Sequence, residues 1–217
     1  MIISKAPRLD GIYHTVGAGE TLWRICKTYG ADLETVKRVN RIQDVTNIEI
    51  GQRIYIPKAV IEDDFVTLYP SRKWKYIVIH HSATDTGDLE KIDSAHRKRG
   101  WAGAGYHFVI DNGTCGKSDG QIEATPRWKA QKDGAHCRAG EMNTRGIGIC
   151  LVGNYSQDYP SERQLEALVR LVKRLESFYR IPTSRILGHR QVPGAKTECP
   201  GTRFPWKTFY GLLLKQD

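Results

Sequence analysis

The chain has 217 residues, 40% of them hydrophobic and 26% charged, the balance of an ordinary globular protein rather than a disordered or fibrous one. Its formal net charge of +9 favours anionic partners, but no run of five Lys or Arg and no nucleic-acid-reading motif accompanies it. The basic balance therefore reads as a diffuse surface, and nucleic acid is not expected among the partners.

Residues 1–12 form an N-terminal tail without the apolar core of a signal peptide, and no apolar run approaches membrane-spanning length. From Tyr13 to Pro57 the punctuation is that of a small unit ordered strand, helix, helix, strand. His14-Thr15-Val16 reads as a strand and Gly17-Ala18-Gly19 as a turn. Thr21 is placed to cap a helix carrying Leu22, Ile25 and Cys26, ended by Gly30. Asp32 caps a second helix with Leu33, Val36 and Val39, Asn40 follows it, and Ile48–Gln52 leads into the strand Arg53–Pro57.

The pattern Tyr13, Val16, Gly19-Glu20-Thr21-Leu22, Ile25, Gly30, Leu33, Asn40, Ile50, Gly51-Gln52 and Ile54-Tyr55-Ile56-Pro57 resembles the LysM module. Cys26 departs from it, standing where Ala is common. The resemblance implies binding of N-acetylglucosamine-containing polymers in a shallow groove. Gly19, Glu20, Thr21 and Leu22 would form one side and Asn40, Arg41 and Ile42 the other. Capping alone accounts equally well for Thr21, and a helix end for Asn40.

Residues 58–73 read as a connector partly docked on a second domain, 74–217. Their mixture of Glu62-Asp63-Asp64 with Val60, Ile61, Phe65 and Leu68 is unlike a Gly/Ser linker. Tyr76–Ile79 suits a central strand covered on both faces, ending in His80 and His81. A helix follows over Leu89, Ile92 and His96 to Gly100. Gly105–Ile110 reads as a strand closed by the turn Asp111-Asn112-Gly113. Cys115 to Gly140 reads as loop, and Ile147–Gly153 as a buried strand. Ser161 and Gln164 make a capping box before the apolar stripe Leu165, Leu168, Val169, Val172, Leu175 and Phe178, which Pro182 ends. Strands alternating with helices imply an α/β layered domain with functional residues at strand ends.

One of His80 and His81, with His189 and Cys199, would make a three-ligand set with an open fourth position, as catalytic zinc requires. Neighbouring strand residues face opposite ways, so the two histidines cannot share a site. The cysteine count is odd, without C-x-x-C, so free thiols are expected, with a Cys115–Cys137 pairing left open.

Several landmarks in order make the resemblance of the second domain specific. Ile79-His80 precedes Ser82-Ala83-Thr84, then come Gly105-Tyr106-His107-Phe108, Gly134-Ala135-His136, and Asn143 before Ile147-Gly148-Ile149. Gly188-His189-Arg190 and Cys199-Pro200-Gly201 complete the series. Together they resemble the type-2 N-acetylmuramoyl-L-alanine amidases, a family that includes phage lysozyme-type amidases and peptidoglycan-recognition proteins. The resemblance implies a mixed central sheet flanked by helices and a Zn2+ cofactor on His80, His189 and Cys199. It further implies hydrolysis of the amide joining N-acetylmuramic acid to L-alanine in peptidoglycan, with Tyr106 and Thr197 aiding at the oxyanion. His136 would line the cleft, and Asn143 would orient substrate or brace a loop. His96 and His107 are expected to pack rather than ligate.

Asp in place of the metal Cys, and Glu at position 150, would mark the cytoplasmic recycling branch, and both are absent here. The alternative is a non-catalytic peptidoglycan recognition protein, but relatives of that kind lose the Cys ligand. The resemblance thus points to a monomeric enzyme of the cell envelope or a secreted one, acting on glycan strands and stem peptides. Without a signal peptide in this sequence, phage-type release is a further route.

Overall fold

The computed structural model describes residues 11–17, 20–58 and 66–215. The chain divides into two compact units, Met1–Phe65 and Val66–Asp217.

In the first unit β1 (Gly11–Thr15) pairs antiparallel with β2 (Arg53–Pro57), and α1 (Leu22–Thr28) and α2 (Leu33–Asn40) lie between them in sequence. Gly11 and Ile12 of the expected tail are therefore strand, while Val16 lies just outside it; Ala18 and Gly19 of the expected turn lie outside the described residues. Asp32 caps α2 by accepting from Thr35 N at 2.8 Å. Leu22, Ile25, Cys26 and Val36 close the core against Val16, Ile54 and Ile56.

The second unit is a five-stranded mixed sheet between helices. Its strands are β3 (Tyr76–His81), β4 (Phe108–Asn112), β5 (Asp119–Ala124), β6 (Gly146–Leu151) and β7 (Ile186–Gly188), in the order β5-β4-β6-β3-β7. Only β5 runs antiparallel to its neighbour. The helices are α3 (Leu89–Lys98), α4 (Pro126–Lys129), α5 (Met142–Arg145), α6 (Glu162–Tyr179) and α7 (Trp206–Leu213). Ile77 and Ile79, with Ile147, Ile149 and Leu151 beside them, pack against the stripe Leu165, Leu168, Val172 and Leu175 of α6 and Phe209 of α7. The period of two then sends Val78 and His80 to the opposite face. Val66, Leu68 and Tyr69 of the expected connector pack on the same core as α6, and Trp128 Nε1 donates to Thr67 O at 2.8 Å.

Two elements differ from the sequence expectation. The strand expected over Gly105–Ile110 begins at Phe108 and runs to Asn112, so Asp111 and Asn112 are strand residues and only Gly113, at φ 80°, turns. Asp-Asn-Gly favours a turn locally, but pairing with β5 through a bulge between Ile110 and Asn112 extends the strand. The stretch expected as loop contains β5, a polar edge strand, and α4, opened by Thr125 with Pro126 in the first turn. All five cysteines are free, with Cys115 exposed and Cys137 buried, so the pairing left open above is not formed.

Candidate metal centre and glycan groove

β3 and β7 are parallel and in register at Ile79 and Gly188, so the residues that follow, His80 near the end of β3 and His189 just past the end of β7, emerge at the same carboxyl edge. Their ring centroids are 4.7 Å apart. The loop after His189 returns Cys199 to the same place, pinned by Arg190 N donating to Cys199 O at 2.7 Å. Nδ1 of His80 lies 3.6 Å from Cys199 Sγ, which also accepts from His81 N at 3.4 Å. The donor atoms of His80, His189 and Cys199 all lie within 4.8 Å of one another.

Burial holds both imidazoles below their ordinary range, so they are neutral and able to coordinate at neutral pH. For His80 the neighbouring His136 and His189 add to that burial. Burial likewise pushes the Cys199 thiol up to about 12. A buried thiolate needs a cation beside it, and two neutral imidazoles with one thiolate are a tetrahedral zinc donor set with one position left open. The residues present fit that ion.

Around this trio the other histidines have separate tasks. His81 faces the α6 side, where its Nδ1 accepts from Tyr155 N at 3.0 Å. His96 Nδ1 accepts from Gly105 N at 3.0 Å, and its ring packs on Trp101. His107 is fully buried; its Nδ1 accepts from Gly148 N at 2.9 Å and its Nε2 donates to Lys132 O at 3.1 Å. The Tyr106 ring lies 5.1 Å from the His80 ring, and burial followed by the nearby Cys150 and Cys199 raises its phenol well above the ordinary value, so it stays protonated as a donor. Thr197 is exposed, and its Oγ1 accepts from Cys199 N at 3.1 Å.

His136 is buried, with Nδ1 3.0 Å from His80 Nε2. Asn143 spends its side-chain oxygen on His136 N and Cys137 N, each at 2.8 Å, so its geometry is that of a loop brace. His136, expected to line the cleft, is buried, and of the two roles expected for Asn143 these hydrogen bonds are those of the loop brace.

In the first unit a cleft is lined by Glu20, Thr21, Trp23, Val45, Thr46 and Ile48. Glu20 and Thr21 were expected there. Leu22 was expected too, but it is fully buried in the core and offers no surface. Asn40 uses its amide to tie α2 to β2, donating to Val36 O and Tyr55 O and accepting from Tyr55 N at 2.7 Å. Arg41 is the exposed left-handed cap of α2, Ile42 packs on the core, and Gly19 lies outside the described residues. Trp23, at 56% exposure, escaped the sequence reading although an aromatic beside a cap on a polar helix face was its signal.

The mixed sheet flanked by helices is the fold of the peptidoglycan amidases and peptidoglycan-recognition proteins, and this chain carries a separate βααβ module as well. The chain belongs to the N-acetylmuramoyl-L-alanine amidase family, whose model matches residues 70–202, and the LysM domain model matches residues 14–57. Peptidoglycan-recognition protein SC2 of Drosophila melanogaster is 35% identical over 137 residues, covering 58% of this chain and 68% of that protein. Among solved structures, the N-acetylmuramoyl-L-alanine amidase LysC from Clostridium intestinale URNW aligns with a TM-score of 0.54 at 31% identity, covering 70% of this chain and 95% of that one. Peptidoglycan recognition protein LE, solved with tracheal cytotoxin, a monomeric diaminopimelic acid-type peptidoglycan, aligns at 0.50 and 28% identity, covering 63% and 79%. No helix among the described residues is long and apolar enough to cross a membrane.

Proposed function

We propose that the protein is a zinc-dependent amidase that cleaves the bond between N-acetylmuramic acid and L-alanine in peptidoglycan, while its LysM module binds the glycan. The observation that carries this reading is the convergence of His80, His189 and Cys199, with the cysteine ligand retained. A zinc ion held there would supply Lewis-acid polarisation and an activated water. The chain supplies the rest. His81 N–H bonds to the Cys199 sulfur and steadies it. Tyr106 keeps its phenolic hydrogen and can donate to the oxygen on which charge develops. Thr197 gives a lone pair to the Cys199 amide, so its own hydrogen is available to the same oxygen. In the LysM module, Trp23 offers a flat face to a sugar ring beside Thr21 and Thr46.

The test is mass analysis of the products released from purified sacculi by the zinc-loaded chain. Stem peptides with a free L-alanine amino terminus, abolished by chelation and by Cys199→Ala, are the expected result. Binding to sacculi without new amino termini would instead make the protein a recognition protein.

A further inference from the structure

His136 is not one of the converging donors, yet the motifs around it are built to hold its ring. A Cβ added at Gly134 or Gly148 would come within 2.3 and 2.5 Å of the His136 Cδ2 atom, so neither position has room for a side chain while the ring sits there. Asn143 accepts from His136 N, and Gly134 N donates to Asn143 O at 2.8 Å. Gly134, Asn143 and Gly148 therefore form one cradle for a single imidazole.

That imidazole touches a polar group at each end. Its Nδ1 lies 3.0 Å from His80 Nε2, and its Nε2 lies 3.2 Å from Gly146 O. A backbone carbonyl can only accept, so the hydrogen of neutral His136 belongs on Nε2. Its Nδ1 then holds a lone pair, which requires His80 to carry its hydrogen on Nε2. The His80 lone pair is left on Nδ1, the nitrogen 3.6 Å from Cys199 Sγ. The opposite arrangement would set two lone pairs against each other at Gly146.

We infer that His136 is a positioning residue, which relays the direction of the Gly146 carbonyl into the tautomer and orientation of His80 and so turns His80 Nδ1 toward a metal ion shared with His189 and Cys199. A fixed partner on the far nitrogen of a ligating histidine governs both ring orientation and basicity. The inference rests on the metal-binding part of the proposed function and is independent of which bond is cut.

Zinc affinity, measured on the full chain by competition with a chelator, separates this role from substrate contact. His136→Phe keeps the bulk and removes the acceptor. His136→Asn places an amide oxygen near the position of Nδ1 and keeps it. We expect the Phe variant to bind zinc about 10–100-fold more weakly and the Asn variant to recover most of that loss. Ring nitrogen NMR of the zinc-loaded wild type should show the hydrogen on Nε2 of both His80 and His136, a readout that needs no variant to fold. Unchanged zinc affinity in the Phe variant, equal loss in both variants, or a His80 hydrogen on Nδ1 would overturn the inference. A wild type that binds zinc normally but releases no L-alanine termini would sink the amidase reading and leave this inference standing.

Discussion

Thr197 and Lys196 are both exposed, and the chain distinguishes them by one residue of register. Thr197 Oγ1 is held by the Cys199 amide, whose loop is anchored beside His189 by the bond from Arg190 N to Cys199 O. Losing an oxyanion donor costs about 10²–10³ in turnover. Thr197→Ala should therefore lower kcat on muropeptides by that order with zinc content unchanged. Lys196→Ala should weaken attraction to an anionic substrate only, and added salt should erase the difference. His107, outside the candidate ligand set, is another residue whose protonation the fold resists. Burial holds it down to about 4, and a proton on Nδ1 would meet the Gly148 N–H that this nitrogen accepts. The folded value lies below the unfolded one near 6.5, so the unfolded chain takes up the proton first. The contribution is complete above pH 6.5 and is lost as pH falls toward 4, amounting to about 3 kcal/mol. His107→Asn keeps an acceptor near Nδ1 without titrating. Urea unfolding of the metal-free protein should show the wild type losing about 3 kcal/mol more than this variant between pH 7 and pH 4. Equal losses would show that His107 is not responsible.

At the scale of elements, α6 is the part that the rest of the second unit leans on. Ser161 Oγ accepts from Gln164 N at 3.0 Å and donates to Asp119 Oδ1 at 2.8 Å, joining the start of the helix to the edge strand β5. Gln164 in turn bonds to Ser161 N, and in the protein interior to Val152 O and the Tyr155 hydroxyl. Ser161→Ala should cost about 0.5–2 kcal/mol, the usual range for a lost cap, with the metal site intact. Calorimetry should register this as a fall of several degrees in Tm, at about 2–4 °C per kcal/mol for a domain of this size. No change in Tm would mean that Gln164 alone sustains the helix start.

For the whole molecule, each unit closes its own hydrophobic core, one around Leu22, Ile25 and Ile54, the other around the sheet and α6. Deleting residues 1–57 should therefore leave a folded second unit that, on the proposed function, still cuts soluble muropeptides. Attack on insoluble sacculi should fall further, because tethering raises the effective concentration of the bond to be cut. Turbidity loss of sacculi compared with turnover of a soluble muropeptide measures the difference. Equal loss on both substrates would make the first unit a structural part of the enzyme.

Capping and periodicity are local, so they were legible in the chain: the Asp32 cap, the Ser161–Gln164 box, the stripe of α6 and the opposite facing of His80 and His81 all follow from near neighbours. The order of motifs carried the family for the same reason. What only the tertiary structure decided were pairings between distant segments. The polar edge strand β5 has no alternation to betray it and exists because β4 offers a partner, which also drew Asp111 and Asn112 out of their expected turn. The resemblance put Leu22 and Asn40 in the glycan groove, but the core encloses Leu22 and β2 takes up the Asn40 amide. His136 meets His80 across 56 residues, and its Gly146 acceptor is set by the meeting of a loop with a strand. No short-range pattern encodes a hydrogen bond between segments brought together only by the sheet, so the partner on the far nitrogen of a candidate ligand had to be read from the folded chain.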